Sequence, residues 1–277
     1  MYLAAKSNFM NRAMLIRQIL DKKSYLCVGL DTDTSKLPVH LQNDPNGVVT
    51  FNKTIIDATL DYCVAYKINT AFYESQGIKG WENMEKTLAY IPDTHFKIAD
   101  AKRGDIGNTS AQYAKTFFET LPFDAVTVAP YMGEDSIRPF LEYQDKFTIV
   151  LGLTSNKGAN DFELLKTGDS FLYEKVLTTV TSWGTPDNLM FVVGATQASE
   201  LANIRKIVPE HFLLVPGVGA QGGSLADVSK YGMNEDVGLL INASRAIIFA
   251  DGGKDFGLAA QAVAKEYQRE MEGLLVM

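Results

Sequence analysis

The stretch FKIADAKRGDIGNTS, residues 96–110, sets Asp100, Lys102, Arg103 and Asp105 directly after the apolar-rich residues 96–99. Asp100 and Lys102 are two apart, so an extended chain puts both on one face, with Asp105 just beyond. A second lysine, Lys67, ends the run CVAYKIN together with Asn69, and Asp31 ends YLCVGLD. Acids and lysines gathered at the ends of apolar runs suit charge chemistry in a cavity. A lysine between carboxylates stays protonated, because nearby negative charge favours its charged form. That suits a general acid or an electrostatic stabiliser better than a Schiff-base nucleophile, which needs a depressed pKa. An unpaired charge at such depth costs several kcal/mol, on the order expected for a desolvated ion, and alternating signs on neighbouring strands offset it by pairing. The bland alternative is a solvated rim with incidental ion pairs. It accounts for any one of these residues but poorly for Asp31, Lys67, Asp100, Lys102 and Asp105 together, since the other strand ends carry no such charges. Arg103 is read as facing away, without a catalytic role.

A second chemistry is written further along. VPGVGAQGG (215–223) places four glycines around Gln221, and INASRAI (241–247) brings Ser244 and Arg245 after the last apolar run. Glycines let backbone N–H groups approach an anion, and arginine adds a bidentate charged fork. A glycine-rich turn alone is more often just a tight turn; the pairing with Arg245 points to a phosphate. The segment TSNKGANDFELLKTGDS (154–170) is long for a connection, and long structureless loops are often lids or binding loops. Thr154, Ser155 and Asn156 suit the polar edge of a ligand, with a plain surface loop as the alternative.

These side chains need elements that bring them together. Strand candidates fall at 25–31, 63–69, 96–100, 125–130, 147–153, 190–195, 212–217 and 237–243, each followed by a helical pattern such as GWENMEKTLAYI or SAQYAKTFFETL. Strands alternating with helices imply a parallel sheet with helical crossovers. Eight such units predict an α/β fold of the (β/α)8 TIM-barrel type, one domain over residues 1–277, with an extra N-terminal helix over 7–22 covering the bottom. An open doubly wound sheet is the alternative; it normally shows a GxGxxG turn after its first strand, and VGLDTDTS is not one. In a barrel the C-terminal strand ends form the active face, and the loops after strands seven and eight commonly hold a phosphate.

Composition bounds the rest. With 277 residues, 46% hydrophobic and 21% charged, the chain can bury a large core. A net charge of −7 without a basic block gives nucleic-acid binding little support, yet leaves room for a small anion in a locally positive cleft. Cys27 and Cys63, in apolar runs without CxxC spacing, read as buried thiols of a reducing compartment. His40, His95 and His211 are scattered, and no metal motif or cofactor fingerprint is present. The amphipathic N-terminus is broken by Lys6, Arg12 and Arg17, and no run approaches membrane-spanning length, so the expected location is cytoplasmic.

DAKRGDIGNT, with LDTD, YKIN, PGVGAQGG and ASRAI in order along residues 24–250, resembles the orotidine 5′-phosphate decarboxylase family, in its longer bacterial branch. The resemblance implies cofactor-independent decarboxylation of orotidine 5′-phosphate to UMP, the last step of de novo pyrimidine synthesis. It implies that Lys102 delivers a proton to C6 as CO2 leaves, that Asp100 lies beside the departing carboxylate, and that Lys67 holds the charges in register. Asp31 and Lys67 are implied to meet ribose hydroxyls, Gln221 and Arg245 to grip the phosphate, and Ser155 to contact the base. Pro216 and Ser244 complete the implied substrate-binding set. Asp105 and Thr109 are implied to reach the neighbouring subunit's site, hence a homodimer with shared active sites. No metal and no cofactor are implied.

Two rivals are weighed against this. A sugar-phosphate decarboxylase or aldolase-type barrel with a similar DxKxxD strand uses Mg²⁺ with an acid near the position of Lys67, where a cation repels the metal. A non-catalytic UMP-binding barrel is the other.

Overall fold

Short runs of aliphatic and aromatic residues, too apolar to face water on either side, are buried best in a parallel sheet covered by its own crossover helices. A computed structural model describes residues 10–195, 198–219 and 223–275. Its strands are β1 (Leu26–Gly29), β2 (Ala65–Asn69), β3 (Phe96–Arg103), β4 (Ala125–Val128), β5 (Phe147–Leu153), β6 (Lys166–Thr167), β7 (Ser170–Phe171), β8 (Leu189–Val193), β9 (Phe212–Pro216) and β10 (Leu239–Ala243). Eight of these close a barrel in the order β1, β2, β3, β4, β5, β8, β9, β10, with β10 returning to β1 and every pair parallel. The eight strand candidates and the (β/α)8 architecture are therefore observed.

β6 and β7 were not foreseen. They form an antiparallel hairpin inside the connection after β5, turning at Gly168, whose φ of +72 suits glycine. Each strand is two residues long, too short to leave a periodic signal in sequence. The 154–170 segment is thus structured and not a bare loop.

The extra helix runs from Arg12 to Lys22. Asn11 opens it, its side chain accepting the Met14 N–H at 3.0 Å, which satisfies one of the free donors of the first turn. The helix buries Leu15 and Ile19 and lies across the N-terminal ends of the strands. Arg12 donates to the carbonyls of Pro186 (3.2 Å) and Glu210 (2.8 Å), ahead of β8 and β9. Lys22 donates to those of Leu60 (2.5 Å) and Cys63 (2.9 Å), ahead of β2. With the bottom plugged, the opposite end is left open to a ligand. Cys27 and Cys63 are both buried and unpaired with each other, and no helix among the described residues is long and apolar enough to cross a membrane.

Candidate active site

At the C-terminal ends of the first three strands the charges join into one chain. Lys67, on β2 and 3% exposed, places Nζ 3.3 Å from Asp31 Oδ1 and 3.0 Å from Asp100 Oδ2. Asp100 Oδ1 lies 2.6 Å from Lys102 Nζ. Burial by itself lowers the pKa of Lys67, but the charges of Asp100 and then Asp31 outweigh it and hold the ammonium above the ordinary lysine value. Burial likewise raises Asp100, and Lys67 and Lys102 overturn that, driving its carboxyl well below the usual carboxylate range. Both groups therefore keep their charge inside the protein.

Asp100 and Lys102 meet by a route that simple alternation does not describe. β3 pairs with β4 at Ala99↔Val126 and resumes at Arg103↔Val128, so four steps of β3 cover two of β4. Surplus residues of this kind form a bulge, which breaks the ladder and re-aims a side chain. Lys102 lies in the bulge with φ +46, a left-handed conformation rare for a lysine. Its side chain is half-exposed and its ammonium stays tied to Asp100. The Lys102 N–H, with the ladder interrupted, donates to Thr127 Oγ1 at 2.9 Å, and Thr127 in turn donates to Asp100 Oδ1 at 3.0 Å. Arg103 points elsewhere: it pairs with Glu74, donates to the Ala101 carbonyl (3.1 Å) and lies over the rings of Tyr113 and Phe117.

The other wall of the cavity comes from the last two barrel strands. A cavity of ≈ 230 Å³ is lined by Asp31, Lys67, Asn69, Asp100 and Lys102 on one side and by Pro216, Gly217, Ser244 and Arg245 on the other. Gly217 follows β9 with φ +94, a turn that a side chain would strain. Ser244 donates to the Gly29 carbonyl at 3.0 Å; Gly29 must lack a side chain, because a Cβ there would sit 2.7 Å from Ser244 Cβ. Arg245 is exposed, and its guanidinium makes no ion pair among the described residues, leaving its fork open to an anion. Gln221 lies outside the described residues.

An adjoining cavity shares Lys102, Val192 and Pro216 and is lined as well by Thr154, Ser155 and Asn156. Thr154 is turned toward the hairpin segment: Glu163 accepts its N–H (2.7 Å) and its hydroxyl (2.8 Å). Ser155 packs against Gly194 at the end of β8, where a Cβ would meet Ser155 Oγ at 2.6 Å. Asp105 and Thr109 line neither cavity. Asp105 is half-buried, its Oδ1 accepting the Ile106 N–H at 2.8 Å, and Thr109 is exposed. Sequence reasoning singled out neither Thr127 nor Asn242, a buried cavity-lining amide. For Thr127 the available signal was a lone hydroxyl in the apolar strand AVTV; for Asn242 it was a polar residue inside LLINA.

Fold and site define an enzyme-like (β/α)8 barrel: its open end holds a fixed relay of carboxylates and ammoniums sharing one cavity with an arginine that makes no ion pair among the described residues. The chain belongs to the orotidine 5′-phosphate decarboxylase / HUMPS family, whose pattern matches residues 24–255. It is 58% identical over 266 residues to an orotidine 5′-phosphate decarboxylase of Bacteroides fragilis, covering 95% of this chain and 97% of that one. Among solved structures, a Leishmania donovani OMP decarboxylase superposes with a TM-score of 0.81 at 35% identity, covering 95% of this chain and 99% of that one. A Leishmania donovani UMP synthase superposes with a TM-score of 0.85 at 39% identity over 94% of this chain, which spans only 55% of that longer protein.

Proposed function

We propose that this chain is a single-domain carboxy-lyase that converts orotidine 5′-phosphate to UMP without a cofactor, as a cytoplasmic homodimer. The observation that carries the reading is Lys102, an ammonium held 2.6 Å from Asp100 and facing a cavity with Arg245 on its far side. The phosphate is assigned to Arg245, Ser244 and Gln221, beside Pro216, the ribose hydroxyls to Asp31 and Lys67, and the base to Ser155, since Glu163 engages the Thr154 hydroxyl. This sets the substrate's carboxylate beside Asp100. The C6–carboxylate bond breaks, CO2 leaves, and the electron pair stays on C6, a ring carbon that delocalises it poorly. Lys102 stabilises that charge as it forms and transfers a proton from Nζ to C6; solvent then reprotonates the amine. Donors fixed before the reaction need no reorganisation as charge develops, and this is where such sites gain most. Binding energy from the distant phosphate is available to hold the reacting end against Asp100.

The Mg²⁺-dependent alternative is disfavoured by Lys67. Its ammonium already sits between Asp31 and Asp100, the carboxylates a divalent ion needs. The homodimer reading is supported by Asp105 and Thr109, which line neither of the two cavities of their own chain and sit beside Ile106, 54% exposed. The test is loss of orotidylate absorbance with purified protein, with and without EDTA. Turnover insensitive to chelator is expected; activity lost with EDTA revives the metal reading, and UMP binding without turnover favours a binding barrel. Mixing inactive Lys102→Ala and Asp105→Ala chains is expected to restore part of the activity. No recovery in proven heterodimers contradicts shared sites.

A further inference from the structure

The bulge that delivers Lys102 needs something to hold it. Between Ala99 and Arg103 the β3–β4 ladder is interrupted, and a buried backbone N–H left there without a partner is costly. Thr127, fully buried on β4, fills the gap with one hydroxyl. That oxygen accepts the Lys102 N–H at 2.9 Å and its hydrogen goes to Asp100 Oδ1 at 3.0 Å. The same Asp100 oxygen receives Lys102 Nζ at 2.6 Å. A closed ring results: Thr127 Oγ1 to Asp100, Asp100 to the Lys102 ammonium, and the Lys102 backbone back to Thr127. The β-branched threonine has few χ1 options, so its hydroxyl is a stiff reference point fixed to the sheet.

We propose that Thr127 is a positioning residue for the decarboxylation: it sets the direction of the Lys102 ammonium and the rotamer of Asp100 through this ring. The inference rests on the function proposed above. A hydroxyl in this place does two things that packing volume does not. It holds Lys102 in the left-handed conformation from which its side chain reaches Asp100, and it stabilises the ionised form of Asp100 by donating to it. Misplacing a reacting group by about 1 Å costs on the order of a hundredfold in rate, while binding of the distant phosphate is left alone. The effect belongs in kcat and not in KM.

The experiment separates hydroxyl from volume. Thr127→Ser keeps the hydroxyl and loses the methyl, Thr127→Val does the reverse, and Thr127→Ala loses both. With orotidine 5′-phosphate, kcat is expected to fall about ten- to hundredfold in Thr127→Val and Thr127→Ala, with KM within about threefold, and to stay within about threefold in Thr127→Ser. A packing role predicts the opposite order, with Val near wild type and Ser and Ala impaired. That order overturns the inference, as does a KM rise with kcat unchanged. If Thr127→Val does not fold, the Ser–Ala pair reads the hydroxyl equally well. Wild-type protein run in parallel keeps the two ideas apart: an inactive wild type removes the proposed function and this inference with it, while an active wild type with unaffected variants removes only the role of Thr127.

Discussion

The two ends of the barrel both bury charge, and they treat it in opposite ways. At the open end, acids and lysines face one another, so Lys67 is held above its ordinary pKa and Asp100 below its own. At the plugged end, buried ionisable groups meet mostly the backbone. Lys22 donates to two carbonyls and lies 2.8 Å from His95 Nε2, Lys146 donates to the Phe123 carbonyl (2.5 Å), and Asp124 accepts the Lys97 N–H (2.9 Å). There burial wins: Lys146 falls to about 8, Asp124 rises to about 6, and His95 falls to about 4. Asp124 and Lys146 do feel each other's charge, but their burial outweighs it, and backbone partners satisfy hydrogen bonds without adding a full opposite charge, so desolvation still penalises ionisation. The open end is built to keep charge where a reaction develops it, whereas at the closed end burial pulls Lys146, Asp124 and His95 toward their neutral forms, and Arg12 and Lys22 fasten the helix Arg12–Lys22 to the strands.

The largest contrast comes from removing the central cation. Lys67→Ala leaves half-buried Asp31 without its cation and buried Asp100 with Lys102 alone, and is expected to cost about 3 kcal/mol of stability in denaturant unfolding, with turnover down at least ~10²-fold. A loss under about 1 kcal/mol means the open end holds its charges by other means. Arg245→Ala is expected to raise KM about ten- to hundredfold, as loss of a charged hydrogen bond implies, with a smaller change in kcat. An unchanged KM removes the phosphate from this side chain. The smallest effect lies at the closed end. His95, lowered by burial and then by Lys22, has a folded pKa below its unfolded value, so its stabilising contribution is complete above about pH 6.5 and is lost as pH falls toward 4. His211 acts in the same direction, while Asp124, raised to about 6, acts oppositely by losing stability as pH rises from about 4 to 6. His95→Gln is expected to flatten the acid loss of stability by on the order of 1 kcal/mol with kcat at pH 7 unchanged. An altered kcat breaks the separation of the two ends.

The same contrast marks how far the sequence could be read. Apolar runs and the helical patterns between them carry the barrel, since each buried strand must repeat the same local composition. The charges at the ends of 25–31, 63–69 and 96–100 stand out because an acid or lysine conflicts with that composition. Composition could not reveal the bulge: two apart means one face only while the strand is regular, and Lys102 arrives through a positive φ and a broken ladder. Thr127 leaves only a weak signal for a related reason, since a threonine is at home in a strand and its hydroxyl gains meaning only from what β3 does beside it. The β6–β7 hairpin, and with it Glu163 bonding Thr154, rests on contacts too short in sequence to leave a period. The buried charges of the closed end, Asp124 and Lys146, carry no functional signal in sequence because they precede strands, at the end of a barrel that holds no active face.

The central claim is that the ammonium of Lys102 carries the chemistry at the open end. The direct measurement is turnover of orotidine 5′-phosphate by Lys102→Ala beside its affinity for UMP, in protein whose melting temperature matches wild type. Turnover is expected to fall by at least ~10⁴-fold, the combined scale of a lost general acid and a lost electrostatic donor, with UMP affinity within about threefold. Near-native turnover in the folded variant contradicts the account.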